Sequence, residues 1–146
     1  MTLPRDFSEF LRLLDAHRVE YLLVGGYAVA HHGYPRATQD LDVWVAVSAA
    51  NAGRVVQVLR AFGFDQPELV PELFCVPDRI VRMGLPPMRL EILTSIDGVQ
   101  FAECRRRAVP VDVDGITVPV IGLEDLKVNK RAAGRPKDLD DLDHLP

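Results

Sequence analysis

Asp40 and Asp42 stand two positions apart in Asp40-Leu41-Asp42-Val43-Trp44-Val45, a segment that otherwise reads as a buried strand. Side chains alternate along a strand. The two carboxylates therefore project from one face, their Cα atoms roughly 7 Å apart, while Leu41, Val43 and Val45 turn the other way, into a core. Two acids on one face of an apolar strand are costly unless water or a cation meets them. Carboxylate oxygens are the ligands that hard divalent cations such as Mg²⁺ take, usually with some waters retained. A third acid, Glu91, is set among Leu90, Ile92 and Leu93. If its strand pairs beside residues 40–47, Glu91 reaches the same cation. A solvent-facing strand edge would carry the same charges, and spacing alone does not separate the two. Ahead of the acids, Gly25-Gly26 closes the apolar run Tyr21–Val24 and opens a short helical stretch. Exposed N–H groups at such a start, with no Cβ in the way, form an anion site, although a tight turn uses the same pair. The combination says more than either part. A phosphate cradle that returns after one short helix to a two-acid strand sets phosphates beside a metal, as phosphoryl or nucleotidyl transfer requires.

The elements that must position these residues follow from periodicity and punctuation. Phe7, Phe10, Leu11, Leu13 and Leu14 give a helical stripe over residues 7–17, with Asp6 as N-cap and Glu9 three residues later as in a capping box. A strand at Tyr21–Val24 leads to a short helix at residues 28–32, closed by Gly33 and followed by the turn Tyr34-Pro35. Residues 40–47 are the acid-bearing strand and residues 50–62 an amphipathic helix ended by Gly63. Pro67, Pro71 and Pro77 make residues 65–78 a loop with room for one short strand. Residues 79–83 and 88–94 read as a strand pair joined loosely through residues 84–87, and residues 99–107 as a helix. Asp114-Gly115 between Val109–Val113 and Ile116–Val120 is a strong hairpin signal. Helices at Leu123–Ala133 and residues 135–145 end the pattern, Pro136 lying in the first turn of the last one. Strands and helices mix without a regular βαβ rhythm. That predicts an α/β (α+β) fold with a mixed sheet flanked by helices, in a single domain over residues 1–146.

Composition narrows the function classes. The 146 residues are 48% apolar and 26% charged, within the globular range. The 17 basic and 21 acidic residues leave a net charge of −4, which argues against a general nucleic-acid coat but permits a local basic patch. No apolar run of about 18 residues is present, so no membrane span is expected. The first ten residues lack a secretory apolar region. Cys75 and Cys104 show no metal spacing and read as free thiols of a cytoplasmic protein, a single disulfide being the alternative.

The run Leu22-Leu23-Val24-Gly25-Gly26-Tyr27-Ala28-Val29, followed by Arg36-Ala37-Thr38-Gln39-Asp40-Leu41-Asp42-Val43, resembles the polymerase-beta type of nucleotidyltransferase superfamily. That superfamily carries a Gly-Gly or Gly-Ser pair, a short helix, Asp-x-Asp and a third acid on a later strand. Glu91 in Leu90-Glu91-Ile92-Leu93-Thr94 looks like the third acid, where the family more often has Asp. Residues 126–142, with Lys130, Arg135, Lys137, Asp138 and Asp141, resemble the closing segment of the minimal and AbiEii-like nucleotidyltransferases. These are small bacterial proteins, many from toxin–antitoxin or phage-defence operons. The resemblance spans residues 20–142 and implies a set of roles. Gly25 and Gly26 would hold a nucleoside triphosphate through backbone N–H groups. Asp40 and Asp42 would bind Mg²⁺, and Glu91 would complete a second metal position and help deprotonate the incoming hydroxyl. Arg36 and Thr38 would touch phosphate oxygens, Lys130 would neutralise the triphosphate, and Asp138 would orient Lys130 or the acceptor.

Other readings stay beside these. His31 and His32 suit a helix C-terminus better than a ligand pair. Arg105, Arg106 and Arg107 form a solvated helix end or a phosphate contact, and the basic run from Lys127 to Lys137 admits both uses. Trp44 shares the acid face and either stacks on a base or packs under a loop. Asp138, Asp140, Asp141 and Asp143 read mostly as a solvated helix face, and only Asp138 and Asp141 match the closing motif. Two functions result. The first is a Mg²⁺-dependent transfer of a nucleoside monophosphate to a protein or RNA hydroxyl, the acceptor being presented by a partner protein such as the other half of a toxin–antitoxin pair. The second is an inactive nucleotide-binding, antitoxin-like module that binds a partner. A metal-dependent hydrolase on the same acids lacks a His-Asp cluster with ligand spacing.

Overall fold

The computed structural model describes every residue except Pro86 and Pro87. Helix α1 (Arg5–Ala16) leads to β1 (Tyr21–Val24), the short α2 (Gly25–His31), β2 (Asp40–Val45) and α3 (Ala49–Phe62). Then come β3 (Ile80–Met83), β4 (Arg89–Leu93), α4 (Phe101–Arg106), the pair β5 (Val109–Val113) and β6 (Ile116–Val120), α5 (Leu123–Ala133) and α6 (Pro136–His144). The six strands form one mixed sheet in the order β3-β4-β2-β1-β6-β5. The pairs β2/β4 and β1/β6 are parallel, and β1/β2, β3/β4 and β5/β6 are antiparallel. This is the mixed sheet flanked by helices that the pattern of elements predicts.

The alternation along β2 is realised as expected. Leu41, Val43 and Val45 are fully buried in the core with Phe7, Phe10 and Leu14 of α1 and Val55 and Leu59 of α3. The opposite face carries Asp40, Asp42 and then Trp44. Trp44 is 2% exposed and packs edge-to-face on Phe101, so its ring supports the sheet and is closed to a base. At the hairpin both Asp114 and Gly115 have positive φ, 50° and 87°, as the tight two-residue turn demands. Buried Asn51 joins α3 to the chain before β1 by accepting from the Glu20 N–H and donating to the Glu20 and Ala46 carbonyls.

Several boundaries differ from the expectation. Helix α1 starts at Arg5 with Pro4 at its N-cap and no side-chain cap, so Asp6 lies in the first turn, where its charge still favours the helix dipole. Helix α2 starts at Gly25 rather than at Ala28, so the glycine pair is itself the first turn. Helix α3 is capped by Ser48, whose hydroxyl accepts from the Asn51 N–H. No strand forms in residues 65–78, which hold a single 3-10 turn at Pro71–Phe74. The expected link at residues 84–87 lies partly outside the described residues. Cys75 and Cys104 are free thiols.

Candidate active site

Register brings the three acids together. Asp42 of β2 sits opposite Val24 on β1 on one side and opposite Glu91 of β4 on the other. Val24 is the last residue before the glycine turn, so the chain turns away beside the Asp42 carboxylate. A Cβ on Gly25 would lie 1.9 Å from Asp42 Oδ2, and one on Gly26 would lie 2.6 Å from Thr38 Oγ1. Gly25 also has φ +71°, a conformation that side-chain-bearing residues rarely adopt. Both glycines are thus required by close approach, Gly25 against an acid of the site and Gly26 against the segment leading into it.

Among the described residues Asp42 is the acid of the three that makes no ion pair. Its Oδ1 is buried with no hydrogen-bond partner. Burial, then the hydrogen bond to Glu91, then repulsion from Glu91 and Asp40 push its carboxyl up to about 8. Glu91 moves the other way. Burial opposes its charge, but hydrogen bonds from Asp42 and Arg82 outweigh that and hold it below the ordinary glutamate value. The facing pair therefore shares one proton, carried on Asp42 at neutral pH. The other two acids are held by arginines. Arg89 grips Asp40 with two parallel bonds of 3.0 and 2.9 Å, and Arg82 donates to Glu91 Oε1 at 2.8 Å.

Among the described residues no three His, Cys, Asp or Glu side chains are gathered as a ready metal cage, and Asp40 is paired with Arg89. The donor set nevertheless fits a hard divalent cation. A buried carboxylate oxygen without a partner faces a second carboxylate, and together they retain a proton that a cation would replace. Asp42 and Glu91 are the residues that would hold it, joined by Asp40 on release from Arg89.

The predicted site residues line one cavity of about 870 Å³, with the exception of Asp138. Arg36 and Lys130 reach its wall already paired. Arg36 makes a bidentate contact with Asp141 at 2.7 and 2.9 Å. Lys130 is 5% exposed, with Nζ 3.2 Å from Asp138 Oδ1 and 2.9 Å from Asp141 Oδ2. Asp138 is fully buried and also accepts from the Arg135 side chain at 2.6 Å. Of the α6 aspartates, Asp140 and Asp143 are solvated, while Asp138 and Asp141, the two that match the closing motif, are interior. His32 caps α2 and contacts the Ile121 carbonyl at 2.7 Å. Arg107 is tied to Asp125.

Residues 3–145 match the family described as nucleotidyltransferase of unknown function (DUF6036). The chain belongs to that family. No curated protein matches the sequence. Solved structures share the DUF6036 chain's fold. The TM1012 protein of Thermotoga maritima superposes with a TM-score of 0.59 at 16% identity, covering 95% of this chain and 89% of that one. The lincosamide antibiotic adenylyltransferase LnuA with lincomycin bound gives 0.59 at 15%, covering 98% and 96%. ANT(2")-Ia in complex with adenylyl-2"-tobramycin gives 0.55 at 13%, covering 94% and 83%.

In this DUF6036 member the cavity arginines Arg82 and Arg89 carried no role in the sequence analysis, whereas Arg135 and Lys137 belong to the basic run noted there. Arg89 had a signal, since alternation from Glu91 puts it on the acid face. Lys137 is exposed, makes no salt bridge among the described residues, and is close enough to favour the charged form of Asp42.

Proposed function

We propose that this chain transfers a nucleoside monophosphate from a nucleoside triphosphate to an acceptor hydroxyl, with Mg²⁺ as the cation. The observation that carries this reading is the Asp42–Glu91 pair, facing in register beside the Gly25 turn with one buried carboxylate oxygen unpartnered. Residues 1–146 act in this reading as one catalytic unit. The N–H groups of the Gly25-Gly26 turn hold the triphosphate, Arg36 and Thr38 border it, and Lys137 supplies an unpaired charge beside the acids. Lys130 and Asp138 act behind them, fixing Arg36 and α6. The acceptor oxygen forms a bond to the α-phosphorus, and the bond from that phosphorus to the β-phosphate oxygen breaks. Pyrophosphate leaves with the electron pair, and the hydroxyl proton passes to the Glu91 carboxylate. A bound divalent cation supplies neutralisation of the oxygens that gain charge.

The toxin–antitoxin setting, an AbiEii-like affiliation and a cytoplasmic location are supported only by the likeness of residues 126–142 to such proteins and by the free thiols. No helix among the described residues is long and apolar enough to cross a membrane. One observation favours the second reading, a partner-binding module without activity: Arg89 already occupies both oxygens of Asp40.

Calorimetric titration with ATP, GTP, CTP and UTP, with and without Mg²⁺, separates the two readings. Transfer predicts Mg²⁺-dependent binding of at least one triphosphate, lost in Asp40→Asn/Asp42→Asn. Binding to none of the four refutes it. In a working assay Glu91→Gln should lower kcat by about 10²–10⁴-fold with a small change in triphosphate affinity. A loss confined to binding would remove Glu91 from the chemical step.

A further inference from the structure

Two guanidiniums on the acid face, those of Arg82 and Arg89, have no part in the transfer described above. We propose that they form the wall that receives the acceptor, and that this acceptor carries a phosphate beside its reacting hydroxyl. The inference rests on the nucleotidyltransferase reading and names its substrate class.

The order of strands carries it. From the glycine turn outward, β1, β2, β4 and β3 place Val24, Asp42, Glu91 and Arg82 in one row across the sheet. Arg89 and Asp40 form the neighbouring row. The acids thus lie between the glycine turn on one side and the two arginines on the other. In-line displacement places the attacking and leaving oxygens on opposite sides of the α-phosphorus. With the triphosphate on the glycine side, the hydroxyl arrives over β4 and β3, where the arginines stand.

The chemistry of that wall selects for an anion. Arg82 and Arg89 are diagonal neighbours on antiparallel strands, a separation of roughly 7–8 Å between backbones that long side chains bridge. Their side chains are 58% and 36% exposed and both line the cavity. A planar guanidinium takes phosphate oxygens two at a time. Their present partners, Glu91 and Asp40, are the acids that a cation would neutralise, which would leave the partly exposed guanidiniums open to another anion. Asp78 and Asp97 also line the cavity, but they lie beyond the opposite ends of β3 and β4, away from Arg89. A polycationic acceptor such as tobramycin would meet like charge at this wall.

The test is calorimetry on the full chain loaded with Mg²⁺ and a non-hydrolysable α,β-methylene triphosphate. Three probes are titrated: glycerol 3-phosphate, a trinucleotide RNA with a free 3′ hydroxyl, and tobramycin. The expected result is binding of a phosphate-bearing probe that weakens roughly 10- to 100-fold in Arg82→Gln/Arg89→Gln. Affinity for the triphosphate analogue should stay within about threefold, and Arg82→Lys/Arg89→Lys should recover part of the probe binding. Binding of glycerol 3-phosphate points to a small phosphorylated acceptor, and binding of the trinucleotide alone points to a nucleic-acid strand. The inference is overturned, with the transfer reading intact, if the analogue binds but neither phosphate probe does. It is also overturned if the glutamine variant binds them equally, or if tobramycin binds more tightly. If the analogue itself fails to bind, both readings fall.

Discussion

A single carboxyl sets the chemistry of the metal-free site. Asp42 keeps its proton up to about pH 8 because burial and the neighbouring Glu91 and Asp40 disfavour its charge. In an unfolded chain it titrates near its ordinary 3.8. A carboxyl whose folded value is raised contributes stability that is fully present below pH 3.8 and lost as pH rises through about 8. Asp42→Asn replaces the protonated acid by a neutral group of the same shape that still donates toward Glu91. Thermal melts without metal should therefore show the variant more stable than the parent at pH 8 and nearly equal to it at pH 4. Equal melting at both pH values would mean that Asp42 is already ionised. Added Mg²⁺ should raise the melting temperature of the parent most at the alkaline end, where no proton competes, and should leave the variant almost unmoved.

At the scale of elements, α5 and α6 hold the site in shape through a buried ionic cluster. Lys130 meets Asp138 and Asp141, Arg36 grips Asp141, and Arg135 grips Asp138. Removing the shared cation leaves two buried carboxylates undercompensated. Lys130→Ala should cost about 3–5 kcal/mol in denaturant unfolding. A cost below about 1 kcal/mol would mean that the cluster rearranges with water. How legible these elements were depended on range. β5, β6 and α5 appear at the residues read from sequence because Asp114-Gly115 and the flanking alternation are local signals. The pairing of β2 with β4 could be posed only as a condition, since nothing local fixes which strands become neighbours. Asp138 and Asp141 stood apart from the solvated face only through the closing motif, because the pattern of α6 displays its charge but not Lys130 or Arg36, which come from elsewhere in the chain. The helix starts were misplaced where backbone or proline replaced a side-chain cap, as at Pro4 and Gly25.

For the whole molecule the two groups of acids act in opposite directions on stability. Burial opposes the charge of Asp138 and Asp141, but hydrogen bonds from Arg135 and Lys130 to the former, and from Arg36 and Lys130 to the latter, hold both below the ordinary aspartate value. Their contribution is present above pH 3.8 and is lost as pH falls through their lowered folded values. Asp42 withdraws stability on the alkaline side. Together they place the stability maximum of the metal-free protein on the acidic side of neutrality, with a steady decline from pH 5 to 8. Melting temperatures across pH 2–9 check this, and a maximum at pH 8 without metal would contradict it. The Arg36–Asp141 contact has a further consequence, in time rather than in energy. Its partners are 105 positions apart, so at ordinary translation speeds roughly 5–20 s pass between the synthesis of the arginine and that of its aspartate. Before that interval ends the glycine turn, Asp40, Asp42 and then Glu91 are all synthesised, yet the carboxylate that fixes Arg36 has not been made. Until α6 has been translated Arg36 lacks the carboxylate that fixes it, so this part of the cavity wall is set later than the glycine turn and the acids.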